Sequence, residues 1–151
     1  MTQKHVLPPQ VVGFLGGIAP ASISASTVTS GWISTAQYQS FMAIISAGTL
    51  GTSATLDAKI QQATDSSGTG AKDVTGLAIT QMVKATDDNK QAILGFASDS
   101  LDIANGFNWF RVSMTIGTAA SGACATILGM DQRIGSVAST DASSVKEIIL
   151  G

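Results

Sequence analysis

From residue 38 onward the hydrophobic positions come in short runs separated by Gly, Ser, Asn and Asp, at intervals that suit strands and turns. Residues 39–47, centred on Phe41-Met42-Ala43-Ile44-Ile45, predict a first clear strand, and Gly48 to Ser53 reads as the turn that ends it. Residues 55–63 alternate, with Leu56, Ala58 and Ile60 on one face and Asp57, Lys59 and Gln61 on the other. A period of two marks a strand with one buried side. Residues 109–116 repeat it: Phe110, Val112, Met114 and Ile116 should face the core, and Trp109, Arg111, Ser113 and Thr115 should face away.

The runs 79–85 and 91–97 predict two further strands, joined as a hairpin across Thr86-Asp87-Asp88-Asn89-Lys90. Residues 123–129 are apolar on both faces, which places that strand centrally or under a cover. Residues 65–73, with three charged groups and two glycines, form the strongest loop signal. Residues 143–150 fit a closing strand or a short helix, and Ile148-Ile149-Leu150 favours a strand docked on the domain or on a partner. Strands follow strands without intervening amphipathic helices, and no repeat of fixed period is present. The expected fold is an all-β antiparallel β-sandwich of about seven to nine strands, with a jelly roll as one form it can take.

The first third differs. Between Lys4 and Asp57 there is no Asp, Glu, Lys or Arg, and Pro8, Pro9, Gly13, Gly16, Gly17, Pro20 and Gly31 argue against a long helix. Residues 1–37 are therefore expected as an extended, uncharged N-terminal arm or as first strands, and 38–151 as the sandwich. At 151 residues one core is the natural division.

Only 12% of residues are charged, against about 25% in an ordinary soluble domain, so the surface has little charge with which to stay apart from other protein. A homo-oligomer or a place in a larger assembly follows. The eight basic residues are scattered, which argues against nucleic acid as a partner. No apolar run approaches the roughly 18 residues of a membrane-spanning helix, and Pro8-Pro9 interrupts any signal-peptide reading of the N-terminus, so a soluble protein without a membrane partner is expected.

The candidate chemistry is sparse. His5 is the one histidine and lies in a Pro-flanked segment, so no hydrolytic triad is expected around it. Cys124 is alone, which excludes an intrachain disulfide, and its apolar neighbours predict a buried core thiol. Gly68-Thr69-Gly70-Ala71-Lys72 has the wrong glycine spacing for a phosphate loop and lacks a Ser or Thr after the lysine. Asp87-Asp88-Asn89 lacks the alternating acidic pattern of a Ca²⁺ loop. Asp99 and Asp102 could pair as acid and base on a sugar, but they read better as a polar connection; Trp32 and Trp109 read as buried anchors. No catalytic residue, metal site or cofactor is expected, and the chain is not expected to be an enzyme.

One stretch carries a resemblance: Leu56-Asp57-Ala58-Lys59-Ile60-Gln61-Gln62-Ala63-Thr64-Asp65, then Gly68-Thr69-Gly70-Ala71-Lys72-Asp73-Val74-Thr75-Gly76, Asp88-Asn89-Lys90-Gln91-Ala92, Leu101-Asp102, Phe107 and Arg111-Val112-Ser113. It resembles small virion proteins of tailed bacteriophages and covers about half of the chain. The resemblance implies a capsid decoration or cement protein on the head surface, made in the host cytoplasm, whose partner is the major capsid protein or another virion protein. A head-fibre base, a tail protein or a carbohydrate-binding module are the alternatives; the last calls for exposed aromatics in a groove.

Overall fold

The computed structural model describes residues 7–133 and 142–149. Ten strands run through it: β1 (Gly13–Ile23), β2 (Ser26–Thr29), β3 (Ile33–Ser34), β4 (Tyr38–Ala47), β5 (Thr55–Ala63), β6 (Lys72–Ala78), β7 (Met82–Val83), β8 (Gln91–Ala97), β9 (Trp109–Gly117) and β10 (Ser121–Gln132). One helical turn, α1 (Lys84–Asp87), precedes β8.

The strands form two antiparallel sheets, one ordered β1-β10-β4-β8 and the other β2-β9-β5-β6, with β3 added to β9 and β7 to β5. Strands β1, β2, β4 and β5 pair with β10, β9, β8 and β6 in turn, so the chain is a long antiparallel ribbon. The pairings β10–β4 and β9–β5 roll that ribbon up. Eight principal strands wound in this order make a jelly roll.

The two inner faces meet over Leu56, Ile60, Val112, Met114, Ile116, Ile45 and Ile127, all removed from water. Phe110 of β9 lies 4.7 Å from Phe41 of β4 and 5.0 Å from Phe96 of β8, edge to face in both cases, so one aromatic cluster joins the two sheets. Burying a side chain of this size stabilises the fold by about 2–3 kcal/mol, and each aromatic pair adds about 0.5–1.5 kcal/mol. Gly17 on β1 lies so close to β10 that a Cβ there would stand 2.1 Å from the Ala125 carbonyl oxygen. Only glycine allows that approach.

The predicted strands at 39–47, 55–63, 91–97, 109–116 and 123–129 are present as β4, β5, β8, β9 and β10, and β10 is central in its sheet. The predicted hairpin is not. Within 79–85 only Met82–Val83 is a strand and it pairs with β5, while β8 pairs with β4 in the other sheet. The loop at 65–73 ends earlier than its composition implies, since Lys72 already begins β6. The predicted strand at 143–150 is absent among the described residues: Ala142–Ser144 is a 3₁₀ turn, no strand follows to residue 149, and Leu150 lies outside the described residues.

Residues 13–34 are built into the roll. Strand β1 forms an edge of the four-stranded sheet, β2 forms an edge of the other, and β3 extends β9. The breakers are accommodated by register shifts between Phe14 and Gly16 and between Ile18 and Ala21, the second of which contains Pro20.

Candidate functional site

The pleat sends every second residue of the four-stranded sheet outward, and the pairing aligns them in cross-strand rows. One row is Phe14, Leu128, Met42 and Gly95; the next is Gly17, Thr126, Ile44 and Ile93. Beyond them lie Cys124, Ser46 and Gln91 on one side and Met130, Ser40 and Ala97 on the other. None of these is charged, and Asp131, near the end of β10, is the one charged residue in all four strands. Most are half-buried by their neighbours alone, while Ile93 is 63% exposed.

Cys124 belongs to this face. It is half-buried, correcting the expectation of a core thiol: its neighbours Ala123 and Ala125 occupy the inward positions, so the alternation turns the thiol outward. Beside it a cleft of about 350 Å³ lies between Phe14, Gly17, Thr126 and Ser144 of the 3₁₀ turn.

The edge strand β8 adds a second feature. The Ala47 N–H donates to the Lys90 carbonyl. Antiparallel pairing alternates, so Lys90, Ala92, Leu94 and Phe96 direct their backbone groups to β4, whereas Gln91, Ile93 and Gly95 direct theirs to the open edge. The Ala97 N–H, next in the outward series, donates to Ser100 Oγ, consistent with that assignment.

The outer face of the six-stranded sheet is built differently. Lys59 Nζ donates to Asp73 at 2.7 Å, Gln61 Nε2 donates to the same carboxylate at 3.0 Å, and Arg111 Nε donates to Gln61 at 3.0 Å. The Arg111 guanidinium lies 4.4 Å from the centre of the Trp32 ring. Lys72 bonds Asp102 at 2.7 Å and sits 4.0 Å from the centre of the Phe107 ring. The Lys59 and Gln61 hydrogen bonds hold the Asp73 carboxyl below its ordinary value, and those from Lys72 and Asn105 do the same to Asp102.

The remaining sequence candidates have structural partners. The 65–71 loop closes on itself, with Asp65 accepting from the Ser67 and Thr69 N–H groups. Gly68, at φ +86°, has no room for a Cβ, which would stand 2.6 Å from Trp32 Nε1. Asp87 accepts the Val83 N–H, and Asp88 accepts the Leu50 N–H and pairs with Lys84. Asp102 also receives Asn105, while Asp99 is exposed in the 3₁₀ turn after β8. Among the described residues no cluster of three His, Cys, Asp or Glu could hold a metal ion. His5 lies outside the described residues.

Trp32 and Trp109, expected as buried anchors, are half-buried and line one cleft of about 350 Å³ with Ile33, Ser34, Gln37 and Tyr38. The uncharged face has a signal in the sequence beyond the first third. No charged residue occurs from Gln91 to Ser98 or from Val112 to Met130, and those spans supply β8 and nearly all of β10.

No family model matches the chain, and no curated protein matches it. Among solved structures it is similar to a chain of Broad Bean Stain Virus, with 11% identity, coverage of 99% of this chain and 100% of that one, and a TM-score of 0.49. It is similar also to a chain of the Cowpea Mosaic Virus empty virus-like particle, at 10% identity over 90% and 89% of the two chains, with a TM-score of 0.45. A third similarity is to the N-terminal cellulose-binding domain of Cellulomonas fimi β-1,4-glucanase C, at 12% identity over 83% and 89%, with a TM-score of 0.42.

Proposed function

We propose that this chain is a non-catalytic structural protein of a virion, which binds the head lattice as a decoration or cement protein through the outer face of its four-stranded sheet. The observation that carries the reading is that face: four aligned strands whose outward rows are uncharged, with one carboxylate, Asp131, at the rim, where it accepts a hydrogen bond from Ser40 Oγ. A surface of this kind can be covered by protein without stranding an ion in a dry interface, where an unpaired charge costs several kcal/mol. The jelly roll is among the folds that viral capsid domains use. The partner is the major capsid protein or a neighbouring virion protein, and the place is the capsid surface after synthesis in the host cytoplasm.

The test is co-sedimentation of the full chain with purified capsid shells of the virus that encodes it. The wild-type protein pellets with shells and saturates. Ile44→Lys, which puts a charge at the middle of the face, weakens this binding by roughly tenfold or more. Binding unaffected by that charge sinks the proposed surface, and an absence of binding sinks the decoration role in favour of another virion component.

A second reading rests on the Trp32/Trp109 cleft, where aromatic rings stand beside the polar side chains of Ser34 and Gln37, as a sugar site would require. Tryptophan fluorescence during titration with soluble cello- and xylo-oligosaccharides decides it. A saturable change abolished by Trp109→Ala transfers the function to sugar binding, and a flat titration leaves the lattice reading in place.

A further inference from the structure

The open edge of β8 names one partner of the surface proposed above and rests on that assembly reading. An exposed edge strand is a template for another strand, and proteins that stay monomeric blunt such edges with charge, proline, bulges or short length. The other three edges of this roll are blunted. Strand β1 has two register shifts and Pro20, β2 has four residues, and β6 carries Lys72 and Asp73 with a shift in its pairing to β5. Among the described residues strand β8 has none of these devices, and no strand pairs with its outer side. Its seven residues contain no charge and no proline, and they pair with β4 in unbroken register from Ser46↔Gln91 to Ser40↔Ala97.

We infer that two copies of this chain pair β8 to β8, antiparallel about a two-fold axis at Ile93, joining their four-stranded sheets into one of eight strands. The outward backbone groups of Gln91, Ile93 and Gly95 then meet those of Gly95, Ile93 and Gln91 in the second copy, about six hydrogen bonds in all. A two-fold axis normal to the sheet keeps both uncharged faces on one side and closes the assembly at two copies. The same register carries Lys90 of each copy, 60% exposed although 3.5 Å from Asp87 of its own turn, past Phe96 of the other, towards its exposed Asp99, so opposite charges approach at both ends of the seam. A parallel arrangement would set Lys90 beside Lys90 and Asp99 beside Asp99.

Sedimentation equilibrium of the purified full chain over a concentration series reads the inference. The wild-type mass rises to about twice the 15.3 kDa of one chain. Gly95→Pro removes outward N–H donors that β4 does not use, and edge strands tolerate proline at such positions; with two seam bonds lost it weakens the dimer by roughly tenfold or more. Ile93→Lys sets like charges opposite each other and does the same. Lys90→Glu weakens pairing by about two- to fivefold, and adding Asp99→Lys restores it. A thermal melt of each variant confirms that the monomer is folded.

A wild-type protein that remains monomeric throughout, or a dimer indifferent to both Gly95→Pro and Ile93→Lys, overturns the pairing. The shell assay separates the two claims. A monomer that still binds shells retains the assembly reading and loses the seam, while a β8 dimer that ignores shells retains the seam and loses that reading.

Discussion

The two outer faces of this sandwich are opposites on one core. On the six-stranded sheet, Lys59, Asp73, Gln61, Arg111 and Trp32 form a continuous chain of hydrogen bonds and ring contact, each group partnered within its own surface. On the four-stranded sheet the corresponding positions are Met42, Ile44, Thr126, Leu128 and Ile93, with side chains that offer a partner area in place of charge. Of the charged residues that lie in strands, Asp57, Lys59, Lys72, Asp73 and Arg111 belong to the six-stranded sheet and Asp131 alone to the four-stranded one, so the few charges of this chain are shared unequally between its two faces.

The largest effect should come from the core that both faces share. Phe110→Ala removes the ring that bridges the sheets and should cost about 3–5 kcal/mol in urea unfolding, with both faces lost together. Gly17→Ala strikes the four-stranded sheet alone, by forcing β1 from β10; a fall in melting temperature accompanied by loss of shell binding is expected. Arg111→Ala frees Trp32 and Gln61 on the other face and should cost about 1 kcal/mol while leaving shell binding unchanged. Lys59→Ala breaks an exposed pair and should change stability by no more than about 0.5 kcal/mol.

Acid should separate the faces as well. Hydrogen bonds from Lys59 to Asp73, from Lys84 to Asp88 and from Lys72 to Asp102 hold these carboxyls below 3.8 in the folded chain. A depressed folded value favours the folded state above the unfolded value and loses that contribution as pH falls through the depressed range. The melting temperature should therefore be level from neutral pH to about 5 and decline below about 4, shallowly because these groups are exposed. Shell binding through the uncharged face should follow only the loss of fold.

Much of the roll was legible in the sequence wherever one side of a strand is buried and the other is polar. Residues 55–63 and 109–116 are such cases, and each strand and its inward face are as predicted. Strand β6 was not legible because it is an edge with a single buried residue, Val74, so its alternation has almost nothing to display. The hairpin at 79–97 failed for a different reason. Nearness along the chain favours it, but rolling the ribbon sends β7 to β5 and β8 to β4 in opposite sheets. The uncharged character of the first third was visible, but its meaning was not. Its strands divide between the sheets, β1 and β4 in the four-stranded one and β2 and β3 in the other, and only the pairing shows that β8 and β10 complete an outward face with β1 and β4. Cys124 was misplaced because an apolar run in a central strand shows no alternation in sequence.

Hydroxyl-radical footprinting of the full chain, free and bound to capsid shells, tests the central claim most directly, because the two faces carry different reactive side chains. Met42, Met130 and Cys124 report on the four-stranded face, and Trp32 and Trp109 on the cleft at the six-stranded sheet. Shells should protect Met42, Met130 and Cys124 from oxidation and leave both tryptophans as reactive as in the free protein. Protection of Trp32 and Trp109 with Met42, Met130 and Cys124 unchanged would place the lattice on the opposite face and contradict the account.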